Sequence, residues 1–151
     1  MTAQFTELLR YQGEDLALCS NPLDEYFAMG GANPGFVAPC TALWRGYAGS
    51  WEIVEGRLYL IKVVGQLLDG TDASIESVFS GFPERVFAHW YSGTLRVPQG
   101  ELLNYVHAGY RSCYERDLLL DVDRGVIQGN RVRVNGALPQ PKRRWAKVPT
   151  P

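Results

Sequence analysis

The chain has 151 residues, 46% hydrophobic and 21% charged, with a formal net charge of −1, the size and balance of one ordinary globular domain with its own core. Its mean hydropathy is slightly negative and no apolar run approaches the roughly 20 residues of a spanning helix, which excludes a helical membrane protein. Three scattered cysteines (Cys19, Cys40, Cys113) without a Cys-x-x-Cys pair, and only two histidines, exclude a disulfide framework and a zinc cage.

In chain order, Phe5–Tyr11 and Leu16–Cys19 read as a first hairpin joined by Gln12-Gly13-Glu14-Asp15. Asn21-Pro22-Leu23-Asp24-Glu25 is a helix start, with Asn21 placed to cap a free amide, Pro22 at the first helical position and acids at the positive end of the dipole. Gly30-Gly31 ends that helix within two turns, and Asn33-Pro34-Gly35-Phe36 begins an irregular loop. Thr41–Tyr47, Ser50–Val54 and Arg57–Val64 then form an antiparallel meander with joins at Ala48-Gly49 and Glu55-Gly56. Gly49-Ser50-Trp51 resembles the Gly-x-Trp of the first strand of lipocalin barrels, although here it lies a third of the way along the chain.

Asp72 is placed to cap a short helix over Ala73–Phe79, stopped by Gly81 and Pro83. Two strands folded about Pro98-Gln99-Gly100 follow, because residues 86–97 are rich in aromatic and β-branched side chains and proline cannot donate to a ladder. Tyr114–Val122 and Val126–Val134 make a last pair around Asp123-Arg124-Gly125, with a bulge or turn at Gly129-Asn130. From residue 137 the chain is a proline-rich basic tail, carrying Lys142, Arg143, Arg144 and Lys147 and no acid. The predicted architecture is mainly β, a β-roll or partly closed antiparallel barrel with two short helices over residues 1–136, with an α+β sandwich as the alternative.

The tail's +4 leaves −5 on the rest of the chain, which argues against nucleic acid as a partner except through the tail. No signal peptide is visible at the N-terminus, so a reduced, cytoplasmic protein is expected, with no cofactor and no metal.

Candidate chemistry concentrates in residues 86–117, which hold both histidines. In the predicted central hairpin, His89 and Tyr91 share a face with Tyr105 and His107. A binding module would take a small polar molecule or a protein partner on that face, extended by Tyr110 and Arg111. An enzyme would use His89 and His107 as general acid and base, oriented by Glu115 or Asp117. A self-associating protein would use the aromatic face, Trp90 included, as a homodimer contact. Cys113 is a candidate nucleophile beside Arg111 and Arg116, with His107 as its base. Arg45, Arg96, Arg111 and Arg116 lie beside aromatic residues, a combination that holds phosphate and stacks bases, though strand alternation separates Arg96 from the histidines. Asp117, Asp121 and Asp123 alternate along one strand face, the pattern of a solvated surface more often than of a cation site.

Overall fold

The computed structural model describes residues 5–43, 45–106, 110 and 112–136. Its strands are β1 (Glu7–Tyr11), β2 (Glu14–Leu18), β3 (Tyr47–Val54), β4 (Arg57–Gly65), β5 (Val86–Phe87), β6 (Gly93–Asn104), β7 (Cys113–Asp123) and β8 (Val126–Val134). They form one sheet in the order β2-β1-β3-β4-β8-β7-β6, with the short β5 also on β4. Three hairpins turn on a residue-glycine pair with positive φ at both positions: Gln12-Gly13, Glu55-Gly56 and Arg124-Gly125. Two-residue turns of that kind match the right-handed twist of the strands they join. The first and last loops are therefore tighter than the sequence suggests.

One pairing departs from the expected antiparallel order. β1 lies parallel to β3, with Leu9 opposite Trp51, because β2 and the helix α1 (Pro22–Ala28) intervene as a crossover. α1 starts at Pro22 as expected, yet Asn21 makes no side-chain cap; its side-chain Oδ1 accepts from the Tyr110 hydroxyl instead. The second helix, α2 (Ile75–Val78), is capped at Ser74 rather than Asp72, the Ser74 N–H donating to Ser77 Oγ at 3.0 Å.

Two further corrections concern turns. Thr41–Leu43 is a short 3-10 turn, not a strand, and β3 runs straight through Ala48-Gly49. Gly49 is needed there because a Cβ would lie 2.5 Å from Glu7 Oε1 and 2.9 Å from Trp51 Nε1. The central hairpin does not form. β6 passes through Pro98-Gln99-Gly100 without turning, and its partner is β7, with Pro98 opposite Asp117. A proline is tolerated because β6 is an end strand of the sheet. The Arg96 N–H points outward, to Ser20 Oγ at 3.1 Å; two residues on, the Pro98 nitrogen faces the same outer side, where no ladder needs a donor. Gly100, with φ 82°, makes a bulge between Gln99 and Leu102 instead of a turn. The irregularity expected at Gly129-Asn130 is a bulge, with Asp121 opposite Gly129 and Val122 opposite Ile127.

The core holds Leu9, Trp51, Leu58, Leu60, Leu95 and Leu120, all fully buried. α1 lays aromatic rings over it: Tyr26 sits 4.7 Å from the Phe79 ring and 5.2 Å from the Trp90 ring, and Phe27 meets Tyr47 edge-on at 6.1 Å. The Trp90 indole N–H donates to the Pro22 carbonyl at 2.8 Å, tying the helix start to the core. The two ends of the sheet meet just past β2, where the Cys19 N–H donates to the Arg96 carbonyl at 2.8 Å. Among the described residues no strand ladder closes the gap, so the fold is mainly β, with two short helices, and is not a closed barrel. Among the described residues no helix is long and apolar enough to cross a membrane.

Candidate functional site

Of the residues expected to share a face, the described ones (His89, Tyr91 and Tyr105) do not meet. Tyr91 is only 6% exposed and packs in the core, where burial pushes its phenol up to about 12. His89 is exposed beside it, its ring edge-on to Trp90 at 5.6 Å, in the segment that leads into the start of β6. Tyr105 lies just past the other end of that strand, on the surface. At about 3.3 Å per residue a twelve-residue strand separates the two by roughly 30 Å or more. Glu115 braces the Gly100 bulge by accepting the Glu101 N–H at 3.0 Å, and is no partner of His89. Trp90, 8% exposed, is core and cannot be a dimer contact. His107, Arg111, Trp44 and the tail from residue 137 lie outside the described residues.

What the fold does assemble is a line of polar groups where the sheet's two ends meet. Its first centre is Glu7, 2% exposed on β1. Glu7 Oε2 accepts from Arg45 Nη2 and the Gly49 N–H, both at 2.8 Å, and from Arg45 Nε at 3.2 Å; Oε1 accepts from Trp51 Nε1 at 2.8 Å. Burial pushes the Glu7 carboxyl up, outweighing the pull of Arg45, Gly49 and Trp51. Arg45 itself has a side chain only 8% exposed and lies 5.4 Å from the centre of the Tyr47 ring. Its Nη1 is buried and has no hydrogen-bond partner among the described residues. The Tyr47 hydroxyl donates to Asp24, so a second carboxylate closes this end.

The second centre is Asp117 on β7, fully buried. It accepts from Arg96 Nε at 2.9 Å, Arg133 Nη2 at 2.6 Å and Asn135 Nδ2 at 3.0 Å. Burial alone would raise its pKa, but the donors Asn135, Arg133 and Arg96 together hold it below the usual carboxylate range. Arg96 also donates to the carbonyls of Tyr110 and Ser112, at 2.8 Å for the latter. Between the centres stands Tyr110, whose hydroxyl donates to Asn21 Oδ1 at 2.6 Å, with the Phe5 carbonyl 3.2 Å away. Burial raises both the Tyr110 phenol and the Cys19 thiol; the nearby Arg45 and Arg96, respectively, oppose the rise without reversing it. An upward shift keeps both side chains protonated near neutral pH.

Of the described residues expected to bind (Tyr91, Tyr105 and Tyr110), only Tyr110 is in this line. Arg45 and Arg96 belong to it, but each is held by a carboxylate rather than open to phosphate. Glu7 and Asp117 were legible only as exceptions to pattern. Glu7 sits two residues before Leu9, on the buried parity of β1, and a lone acid at a core position announces a partnered carboxylate. Asp117 begins the Asp117, Asp121, Asp123 series, but it faces Pro98 and Arg133 across the ladders and is buried. Asp121 and Asp123 are satisfied near the surface by Arg131 and Arg124.

Elsewhere, Cys113 is half-buried and directs its thiol to the Tyr114 carbonyl at 3.6 Å. An open cleft of about 190 Å³ lies between β4 and α2, lined by Ile61, Val63, Ala73, Ile75 and Pro83 with Lys62 and Ser74. It contains none of the expected site residues. Among the described residues no cluster of three potential metal ligands exists. No family model matches the chain, and neither a curated protein nor a solved structure does.

Proposed function

We propose that the protein is a non-catalytic binding module whose site is the polar line at the meeting of the sheet's ends, with Arg45 and Tyr110 as its contacts. The observation that carries this reading is Arg45 Nη1, a buried donor with no acceptor among the described residues, because the large majority of buried side-chain polar atoms in native structures are satisfied. An incoming oxygen acceptor would supply the missing bond, worth about 1.5–3 kcal/mol for a charged donor. Local charge selects the kind of acceptor. Glu7 already neutralises Arg45, and Asp24 adds a further negative group behind Tyr47. A neutral carbonyl, as in an amide, lactam or nucleobase, therefore suits the position better than a carboxylate or phosphate. Cys19 and Tyr110 held neutral favour recognition over turnover. The three unpaired cysteines fit a reducing compartment.

The test is a thermal-shift and calorimetric panel of small amides, lactams and nucleobases against their carboxylate counterparts. Neutral carbonyl compounds should raise the midpoint and carboxylates should not. The variant Glu7→Gln/Arg45→Met, which removes the pair together, should abolish the response. Ligand binding unchanged in that double variant would overturn the site.

A further inference from the structure

We propose that β8 pairs through its outer edge with the same strand of a second copy of this chain, antiparallel about a two-fold axis. The inner edge of β8 is laddered to β7 along its length, from Asp123 opposite Val126 to Arg116 opposite Val134. The outer edge meets β4 only at its beginning, where Val126 faces Arg57 and the Ile127 N–H reaches the Gly56 carbonyl at 2.7 Å. Among the described residues no strand pairs with that edge beyond this point.

The ladder fixes which groups are unpaired. The Asn135 N–H donates inward, to the Glu115 carbonyl at 2.9 Å. Hydrogen-bonding direction alternates along an antiparallel strand, so Arg133 and Arg131 also bond inward. Asn130, Val132 and Val134 then turn their N–H and C=O groups outward. An exposed row of this kind takes another strand as its occupant.

The side chains say which strand. Val132 lies across Leu118 from Val97, so the apolar face that is buried at Val97 continues outward until it is bare, with Val132 54% and Val134 75% exposed. On the other face Arg131 and Arg133 are held by Asp121 and Asp117 of their own chain, so two such edges approach without opposing free charges. Neither proline nor lysine interrupts residues 126–134, and both are usual protections of an edge. In the sequence after residue 136, Pro139, Pro141, Pro149 and Pro151 carry no N–H to donate to a ladder. A two-fold axis at Val132 sets that residue against its mate and Asn130 against Val134, making the interface self-complementary.

Sedimentation of the full chain across a dilution series tests the pairing. The wild type should show dimer mass that dissociates on dilution. Val132→Pro removes an outward N–H and no bond to β7, so it should sediment as a monomer with an unchanged circular dichroism spectrum. Val134→Asp changes only an exposed side chain and should weaken the dimer at least tenfold, which keeps the test decisive if the proline variant misfolds. A wild type that stays monomeric throughout, or dimerisation unaffected by Val134→Asp, would overturn the proposal.

Discussion

Replacing Asp117 by Asn keeps the shape of the side chain and removes its charge. Of its two arginine partners, Arg133 is 57% exposed and can turn to water at little cost. Arg96 is only 20% exposed and spends its other donors on the carbonyls of Tyr110 and Ser112. The loss should therefore be dominated by Arg96, whose guanidinium is left without a counter-charge, and should come to about 3 kcal/mol. For a chain of this length that is a fall of about 6–12 °C in Tm. Urea denaturation of Asp117→Asn, Arg96→Met, Arg133→Met and the two double variants apportions it: the 96–117 coupling should exceed the 133–117 coupling by about 1 kcal/mol or more. The pH dependence has a definite sign. Asp117 is lowered in the folded state, so its contribution is full above the unfolded carboxyl value of about 3.9 and is lost as pH falls through the folded value. Wild type and Asp117→Asn should converge on acidification. A gap that persists into acid, or a loss under about 0.5 kcal/mol at neutral pH, would refute the reasoning.

Gly49→Ala should destabilise by about 1–3 kcal/mol, because its methyl would collide with the Glu7 carboxylate and the Trp51 indole; chemical denaturation reads this directly. Trp51→Phe deletes the donor to Glu7 Oε1 and should cost about 1–3 kcal/mol while raising the Glu7 pKa further, measurable by carboxyl carbon NMR. Trp90→Ala should cost about 3–5 kcal/mol through its cavity and leave the oligomeric state of the folded protein unchanged, since that ring faces the core.

Much of the fold is written locally. Residue-glycine pairs between alternating runs mark the hairpins of β1–β2, β3–β4 and β7–β8, and Asn21-Pro22 with Gly30-Gly31 brackets α1. The failures share one cause. Pro98 and Gly100 carry the chemistry of a turn, yet an end strand can hold a proline on its open side and a glycine in a bulge. Nothing local says that β6 ends the sheet; that follows only once β2, β1, β3, β4, β8 and β7 have taken their places. Placing the turn at 98–100 brought His89 and Tyr105 together in the sequence reading, and the continuous strand holds them at opposite ends. The Glu7–Arg45 and Asp117–Arg96 pairs join residues 38 and 21 positions apart. Such pairs are set by the register of distant strands, so only the acids Glu7 and Asp117, as exceptions to pattern, hinted at them.

The account turns on the open donor of Arg45, and arginine side-chain nitrogen NMR reads that group itself. Titrating the intact protein with the best neutral carbonyl compound should shift the Arg45 Nη signals, together with the Tyr110 hydroxyl, in a saturable manner while the Arg133 signals stay fixed. Arg45 resonances that never move, or a high-resolution structure showing Nη1 satisfied by a single ordered water in a space too small for anything larger, would contradict it.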